Sequence, residues 1–236
     1  MKLGLLETGE PPAGVRERFG SYPDMFRRLF GEDAYDYATF DVQAGRLPDR
    51  PEAFDAYVVT GSSAGVYDPL PWIAPLKDFL VAAKGRAALV GVCFGHQVMS
   101  EAFGGKVIQS PKGWGVGLHR YDVAERRPWM DEAATIAIPA SHQDQVVEPP
   151  PGSRVLAASD FTPYGMLDHG DRAISIQLHP EFEPAYAAAL IEDRRGVRYT
   201  DAQADEAILS YHQPDDRARV GRWIQAFLSE ATLRAS

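Results

Sequence analysis

One cysteine occurs in the 236 residues, in the stretch LVGVCFGHQ (89–97), two residues after Gly91 and two before Gly95. A thiol becomes a nucleophile when a base takes its proton and donors wait for the oxyanion it creates. The Gly-x-Cys-x-Gly spacing is that of a nucleophile elbow, with sulfur in the place of a serine oxygen. A sharp strand-to-helix turn crowds the nucleophile's neighbours, and glycine on both flanks relieves the crowding. Such a turn presents the Cys93 sulfur at the carboxyl end of a strand, over a helix N-terminus that favours negative charge. The amide of Phe94, first in that helix, is then a free donor for an oxyanion. The alternative is a structural cysteine packed as a small hydrophobe. The apolar run before Cys93 and the paired glycines favour the nucleophile.

A cysteine nucleophile needs a base, and six histidines are available: His96, His119, His142, His169, His179 and His212. His179 has the best context, SIQLHPEF (175–182), where an apolar run ends and Pro180 and Glu181 follow. The residue before a proline is pushed to extended geometry, and in an extended segment positions i and i+2 face one side. Glu181 can then orient the imidazole of His179 and leave its other nitrogen for the thiol. Should His179 fail as the base, His142 is the next candidate. His96 adjoins the elbow and is expected to border the pocket. His119, His169 and His212 read as surface or strand residues.

Elements must hold these groups together. KLGLL (2–6), DYATFDV (36–42), DAYVVT (55–60) and AALVGV (87–92) read as strands. YPDMFRRLF, PWIAPLKDFLVAAKG and HQVMSEAFGG read as helices, and ETGEPPAGVRERFGS between the first strand and helix reads as a loop. The continuous apolar run before Cys93 suits a central parallel strand covered on both faces. Strands then dominate from 106 to 178, and helices follow 184, with an apolar stripe at Val220, Trp223, Ile224, Phe227 and Leu228. The alternation predicts an α/β fold of three layers: a mainly parallel central sheet, helices on both faces, some antiparallel strands. No linker, repeat or low-complexity tract interrupts the chain, so 1–236 is expected to form a single domain.

GVCFGHQ (91–97) followed by HPEF (179–182) resembles the class I, triad-type glutamine amidotransferases, in particular stand-alone proteins like the amidotransferase part of GMP synthase. VVTGSSAGVYD (58–68) stands where that family has a strand and a glycine-rich oxyanion loop, GGKV (104–107) follows the elbow helix, and SHQDQVV (141–147) is similar to its Ser-His-x-Asp-x-Val segment. The resemblance implies a flavodoxin-like amidotransferase fold. It makes Cys93 the nucleophile, His179 the general base and acid, and Glu181 the orienting carboxylate. It implies an oxyanion hole from the Phe94 amide and the Gly61–Ser62 turn, with Gln97 holding the backbone of glutamine. Two departures stand out. The loop reads Gly61-Ser62-Ser63 rather than Gly-Gly-Pro, and PKGWGVG (111–117) follows stand-alone members, which leaves the substrate open.

The implied reaction is hydrolysis of the glutamine side-chain amide through a γ-glutamyl thioester, with ammonia passed to an acceptor. The chain has neither a Ser-Gly-Gly-x-Asp-Ser pyrophosphate loop nor a Gly-x4-Gly-Lys-Ser/Thr loop. Either a separate synthetase subunit supplies the acceptor site, or the chain is a γ-glutamyl hydrolase in its own right. A partner-dependent enzyme is expected to be nearly idle alone, its oxyanion amide turned away until docking, and Gly61 would permit such a flip. A free-standing hydrolase would carry a finished hole, worth about 2.7–4 kcal/mol per donor. A cysteine esterase or lactonase of the α/β-hydrolase type is less favoured, because its acid precedes the histidine in the chain. A non-catalytic relative would be expected to lose the triad.

Composition narrows the partners. A net charge of −9 with scattered Lys and Arg argues against nucleic acid and against an anionic membrane surface. The N-terminal MKLGLLETGEPP turns polar too early for a signal peptide, no apolar run is long enough to span a membrane, and one cysteine excludes an internal disulfide. A cytoplasmic protein is expected. His142 and Asp144 lack a third metal ligand at recognisable spacing, so no metal and no cofactor are expected. SHQDQ reads as a polar loop at the site mouth, its Asp144 hydrogen-bonded to backbone.

Overall fold

Side chains alternate across the first strands, and this sorts them onto two faces. The computed structural model describes residues 1–233; the remaining three residues of the expected 1–236 domain lie outside the described residues. In chain order the elements are β1 (Lys2–Glu7), α1 (Ala13–Phe19), α2 (Tyr22–Phe30), β2 (Asp36–Asp41), β3 (Ala56–Val59), α3 (Ile73–Ala83), β4 (Ala88–Val92) and α4 (Phe94–Ala102). Then come β5 (Lys106–Gln109), β6 (Gly115–Val123), β7 (Thr135–His142), β8 (Asp144–Glu148), β9 (Arg154–Ala158), β10 (Met166–Gly170), β11 (Ala173–Ile176), α5 (Pro184–Arg194), α6 (Asp201–Ser210) and α7 (Arg217–Leu233). Leu3, Leu5, Val58, Val90 and Ile174 pack under α2 and α7, against Phe26, Val220, Trp223 and Ile224. Leu6, Tyr57, Val59 and Leu89 pack on the opposite face against α3 and α4, through Leu76, Leu80, Phe94 and Val98. The expected three layers result, and each fully buried aliphatic side chain contributes about 1.5–3 kcal/mol of transfer free energy.

Among the described residues, nine strands form one sheet in the order β2-β1-β3-β4-β11-β10-β9-β6-β7. The first five run parallel, and the rest continue antiparallel. From β1 the chain goes to β2 on one side and returns to β3 on the other. That reversal is a topological switch point, and open α/β sheets bind ligands outside the carboxyl ends of strands at such a point. Register fixes which residues arrive there together. Leu6 pairs with Val59, Val59 with Gly91, and Val92 with Ile176. Thr8, Gly61, Cys93 and the segment leading to His179 therefore leave the sheet at one edge of the parallel half. Among the described residues no helix is long and apolar enough to cross a membrane.

Three local expectations differ from the structure. Residues 13–19, read as loop, form α1, where Pro12 opens the helix and Val15 is buried with Tyr22, Phe182 and Tyr186. SHQDQ (141–145) is not a loop: β7 runs through His142, only Gln143 bends, and Asp144–Glu148 is β8, paired antiparallel with β5 in a separate two-stranded sheet. The β11 ladder ends at Ile176, short of His179. Beyond it the chain is tied by single bonds, Gln177 N–H to Gly165 C=O and His179 N–H to Pro139 C=O, both at 2.9 Å.

Candidate active site

Cys93 joins β4 to α4 with φ 55°, a left-handed conformation that is uncommon for a residue with a side chain. Such strain costs on the order of 1–3 kcal/mol and persists where the surroundings over-determine it. Here its amide donates to Ile176 C=O at 2.9 Å, and its carbonyl accepts from Gln97 N–H at 3.0 Å, the first bond of the helix. The glycines make the turn sterically feasible. A Cβ on Gly95 would stand 2.3 Å from the Val59 carbonyl oxygen, and one on Gly91 would stand 2.5 Å from the Gly95 carbonyl oxygen. Glycine is thus required because α4 sits against β3 and β4 backbone.

His179 Nδ1 lies 2.7 Å from Glu181 Oε1, and both side chains are buried. A carboxylate only accepts, so Nδ1 donates and Nε2 is left toward Cys93. The pair meets through a turn, Phe182 N–H to His179 C=O at 3.2 Å, rather than through extended alternation. The Phe182 ring stacks on the imidazole at 3.8 Å between centroids and 7° between planes, which fixes its tilt. Burial works to lower the His179 pKa, but the Cys93 sulfur and the Glu181 carboxylate, by charge and by hydrogen bond, hold it raised. Glu181 Oε2 has no hydrogen-bond partner among the described residues.

Two amides near the sulfur are free. Neither the Phe94 nor the Ser62 N–H meets an acceptor among the described residues. Gly61 lies over the pair: a Cβ there would stand 3.2 Å from His179 Cε1 and 3.7 Å from Cys93 Cβ. Around them opens a cavity of about 470 Å³, lined by Cys93, His179, Gln97, the 61–65 loop and the 141–144 segment. It carries both signs of charge, Asp68 and Asp144 with Arg194 and Arg198. Arg194 donates to Ser141 Oγ at 3.2 Å, and Arg198 lies 5.1 Å over the Trp114 ring.

The remaining sequence candidates sort as follows. Gln97 lines the cavity, but its amide nitrogen is engaged with Asp144 C=O at 2.9 Å and Gln177 Oε1 at 3.2 Å. The group it offers a ligand is therefore its amide oxygen. His142 lines the cavity as a buried imidazole whose pKa burial pushes down to about 3, with Nδ1 3.2 Å from Asp144 C=O. The Asp144 carboxylate accepts from Tyr67 Oη at 2.9 Å, a side chain rather than the expected backbone. His96 does not border the pocket: it is fully buried on α4 with Nδ1 2.7 Å from Ser175 Oγ. His169 is on β10 as expected, yet buried, with Nε2 2.7 Å from the same hydroxyl. His119 lies on β6 and His212 in the turn after α6. Trp114 lies in PKGWGVG, the segment already singled out for the substrate, whereas Arg194 and Arg198 had no local signal, because the end of a helix brings them to the cavity.

A thiol on a strained strand-to-helix turn and a buried His–Glu pair thus meet over the carboxyl ends of the parallel strands of an α/β fold. Residues 52–194 match the family Glutamine amidotransferase class-I, and the chain belongs to that family. It is similar to a glutamine amidotransferase-like protein of Schizosaccharomyces pombe, 28% identical over 97% of this chain and 98% of that one. It is also similar to Gamma-glutamyl peptidase 3 of Arabidopsis thaliana, 28% identical over 85% of this chain and 86% of the other. The crystal structure of a glutamine amidotransferase from Thermotoga maritima shares the fold, with a TM-score of 0.75, 16% identity and 98% of each chain covered.

Proposed function

We propose that the chain hydrolyses γ-glutamyl amides, either the side-chain amide of glutamine or the γ-glutamyl bond of a small peptide, through Cys93, His179 and Glu181. The observation that carries this reading is the buried line of contacts from Glu181 Oε1 to His179 Nδ1 at 2.7 Å and across the ring to the Cys93 sulfur. His179 takes the proton of the Cys93 thiol, which makes the sulfur a nucleophile. The sulfur attacks the γ-carbonyl carbon, and the oxyanion that forms takes hydrogen bonds from the Phe94 and Ser62 amides. His179 gives its proton to the departing amine, leaving a γ-glutamyl thioester on Cys93. His179 then takes a proton from water, whose oxygen attacks the thioester carbon, and glutamate leaves as the thiolate is restored. Glu181 keeps the imidazole in one tautomer throughout. The α-ammonium and α-carboxylate of a γ-glutamyl substrate suit a cavity bearing both carboxylates and guanidiniums.

The two substrates differ only in the leaving amine. The similarity to a γ-glutamyl peptidase over most of both chains supports the stand-alone alternative, as does a cavity roomy enough for more than free glutamine. An ammonia acceptor on a separate subunit remains the reading for glutamine as the natural substrate. The test is a panel with pure protein: glutamate and ammonia from glutamine, and glutamate and free amine from γ-glutamyl dipeptides. Release of glutamate from at least one substrate is expected. A chain inert to all of them, yet active on simple esters, would contradict the reading.

A further inference from the structure

Beneath the Gly61–Ser62 peptide lie two fully buried threonines that follow adjacent parallel strands, Thr8 after β1 and Thr60 after β3. Thr8 N–H donates to Thr60 Oγ1 at 3.0 Å. Thr8 Oγ1 lies 2.9 Å from Thr60 C=O and 3.2 Å from Gly61 C=O, and Thr60 Oγ1 lies 3.3 Å from Gly61 C=O. Each hydroxyl has one proton. Thr8 Oγ1–H serves the Thr60 carbonyl at the shorter distance. Thr60 Oγ1, which already accepts the Thr8 amide, gives its own proton to the Gly61 carbonyl. The two hydroxyl oxygens also lie 3.2 Å apart, so the Thr60 proton is shared between Thr8 Oγ1 and the Gly61 carbonyl.

That network sets the orientation of a peptide that matters. A trans peptide is planar, and its C=O and N–H point in opposite directions. With the Gly61 oxygen held down on the threonines, the Ser62 N–H points away from them, to the side where Gly61 faces His179 and Cys93. Gly9 closes the space on the threonine side, since a Cβ there would stand 2.8 Å from Ser62 Cα and 3.0 Å from the Gly61 oxygen. We propose that Thr8 and Thr60 are positioning residues that latch the Gly61–Ser62 peptide with its N–H toward Cys93, giving a standing oxyanion hole that needs no partner protein. A reversed peptide would take the Gly61 oxygen off both hydroxyls and turn the Thr60 proton onto Thr8 Oγ1. Gly61 is not among the glycines with positive φ, so its lack of a side chain serves space over His179 here. The inference rests on the γ-glutamyl reading for what the hole serves, and on geometry alone for how the hole is held.

The experiment uses the isolated full chain carrying Thr60→Val, Thr8→Val, both together, and the conservative Thr60→Ser. Valine keeps the branched shape and removes only the hydroxyl. Turnover of γ-glutamyl-p-nitroanilide gives kcat and KM, and iodoacetamide alkylation of Cys93, which needs no oxyanion hole, reports the thiol and His179. Thr60→Val alone is expected to lose kcat by about tenfold, because Thr8 Oγ1 can still reach the Gly61 oxygen; the double variant approaches the roughly 10²–10³-fold loss of one oxyanion donor. KM and the alkylation rate should hold, and Thr60→Ser should restore kcat. Crystal structures of wild type and double variant read the peptide orientation without any substrate. Full kcat in the double variant, an equal loss of alkylation, or an unchanged Gly61–Ser62 peptide once both hydroxyls are gone overturns the latch. A wild type that is alkylated but cleaves no γ-glutamyl substrate sinks the functional reading instead, and the two crystal structures still decide the latch.

Discussion

His179 is the residue whose environment says most about the chemistry, because burial works to lower its pKa and its contacts with Cys93 and Glu181 hold it raised. Replacing His179 with Ala should cost several orders of magnitude in kcat, since it removes base and acid together. Glu181→Gln should cost less, about 10- to 100-fold, because the glutamate orients and does not carry the proton. The sign of the pH effect follows from the raised His179. The imidazolium persists as pH climbs past the ordinary histidine value near 6.5, so kcat/KM should hold from neutral to mildly alkaline pH. Glu181→Gln removes one of the influences raising His179, and its alkaline limb should move to lower pH. A pH–rate profile of both enzymes checks this, and an unmoved limb would detach Glu181 from the histidine. At this scale the sequence was most legible where chemistry is local: Cys93 between its glycines, and His179 two residues from Glu181. Thr8, Thr60, Arg194 and Arg198 carry no such local signature. Register and a helix end bring them to the site, and neither can be read from one stretch of chain.

The element that does most is the elbow, and its steric logic can be tested with an alanine scan of two glycines. Gly95→Ala places a Cβ 2.3 Å from the Val59 carbonyl oxygen, against backbone that cannot rotate away. Overpacking of this kind costs roughly 1–3 kcal/mol, and here it also pushes β3, which leads into the 61–65 loop lining the cavity. Urea unfolding should show that loss, and kcat should fall beyond it. Gly14, inside α1, meets nothing within 4 Å, so Gly14→Ala should stabilise by about 0.5–1 kcal/mol through helix propensity and leave kcat alone. Equal effects of the two changes would contradict the steric account. The elements that sequence reading missed have physical reasons. In α1, glycine and proline at 11–14 mask a short helix that exists because Val15 packs under α5. In β8, the polar residues 143–145 hide a strand that is made by a non-local partner, β5.

For the whole molecule, the acid side of the stability curve is set by histidines away from the triad. Burial lowers His142 to about 3 and His169 to about 3, and pushes His96 well below its ordinary value. In the unfolded chain all three take up protons near pH 6.5, whereas the folded protein excludes them until far lower pH. Stability rises with pH wherever the unfolded state binds more protons. Their contribution is therefore complete above about 6.5 and is lost progressively as pH falls from there toward 3. Glu7 runs the other way. Burial, then Glu10, raises it to about 7, so its contribution is present below about 4.5 and is lost as pH rises through 7. Urea midpoints should fall as pH drops from 6.5 to 4.5, and His169→Gln should flatten the slope. A midpoint independent of pH in this window would show that these histidines are hydrated or charged. The α/β class itself was readable from strand–helix alternation, while the order of the nine strands was not, because pairing between distant segments leaves no periodic trace.

The central claim is that Cys93 forms a γ-glutamyl thioester, and the single thiol makes a direct measurement available. Protein mixed with excess γ-glutamyl-p-nitroanilide, quenched in acid within one turnover and weighed intact, should gain the mass of one γ-glutamyl group. Peptide mapping should place it on Cys93, and hydroxylamine should remove it. The adduct should build up further in Glu181→Gln if that change slows deacylation more than acylation. Cys93→Ala should form neither adduct nor product. Glutamate release by Cys93→Ala at the wild-type rate, or an adduct on another residue, would contradict the account.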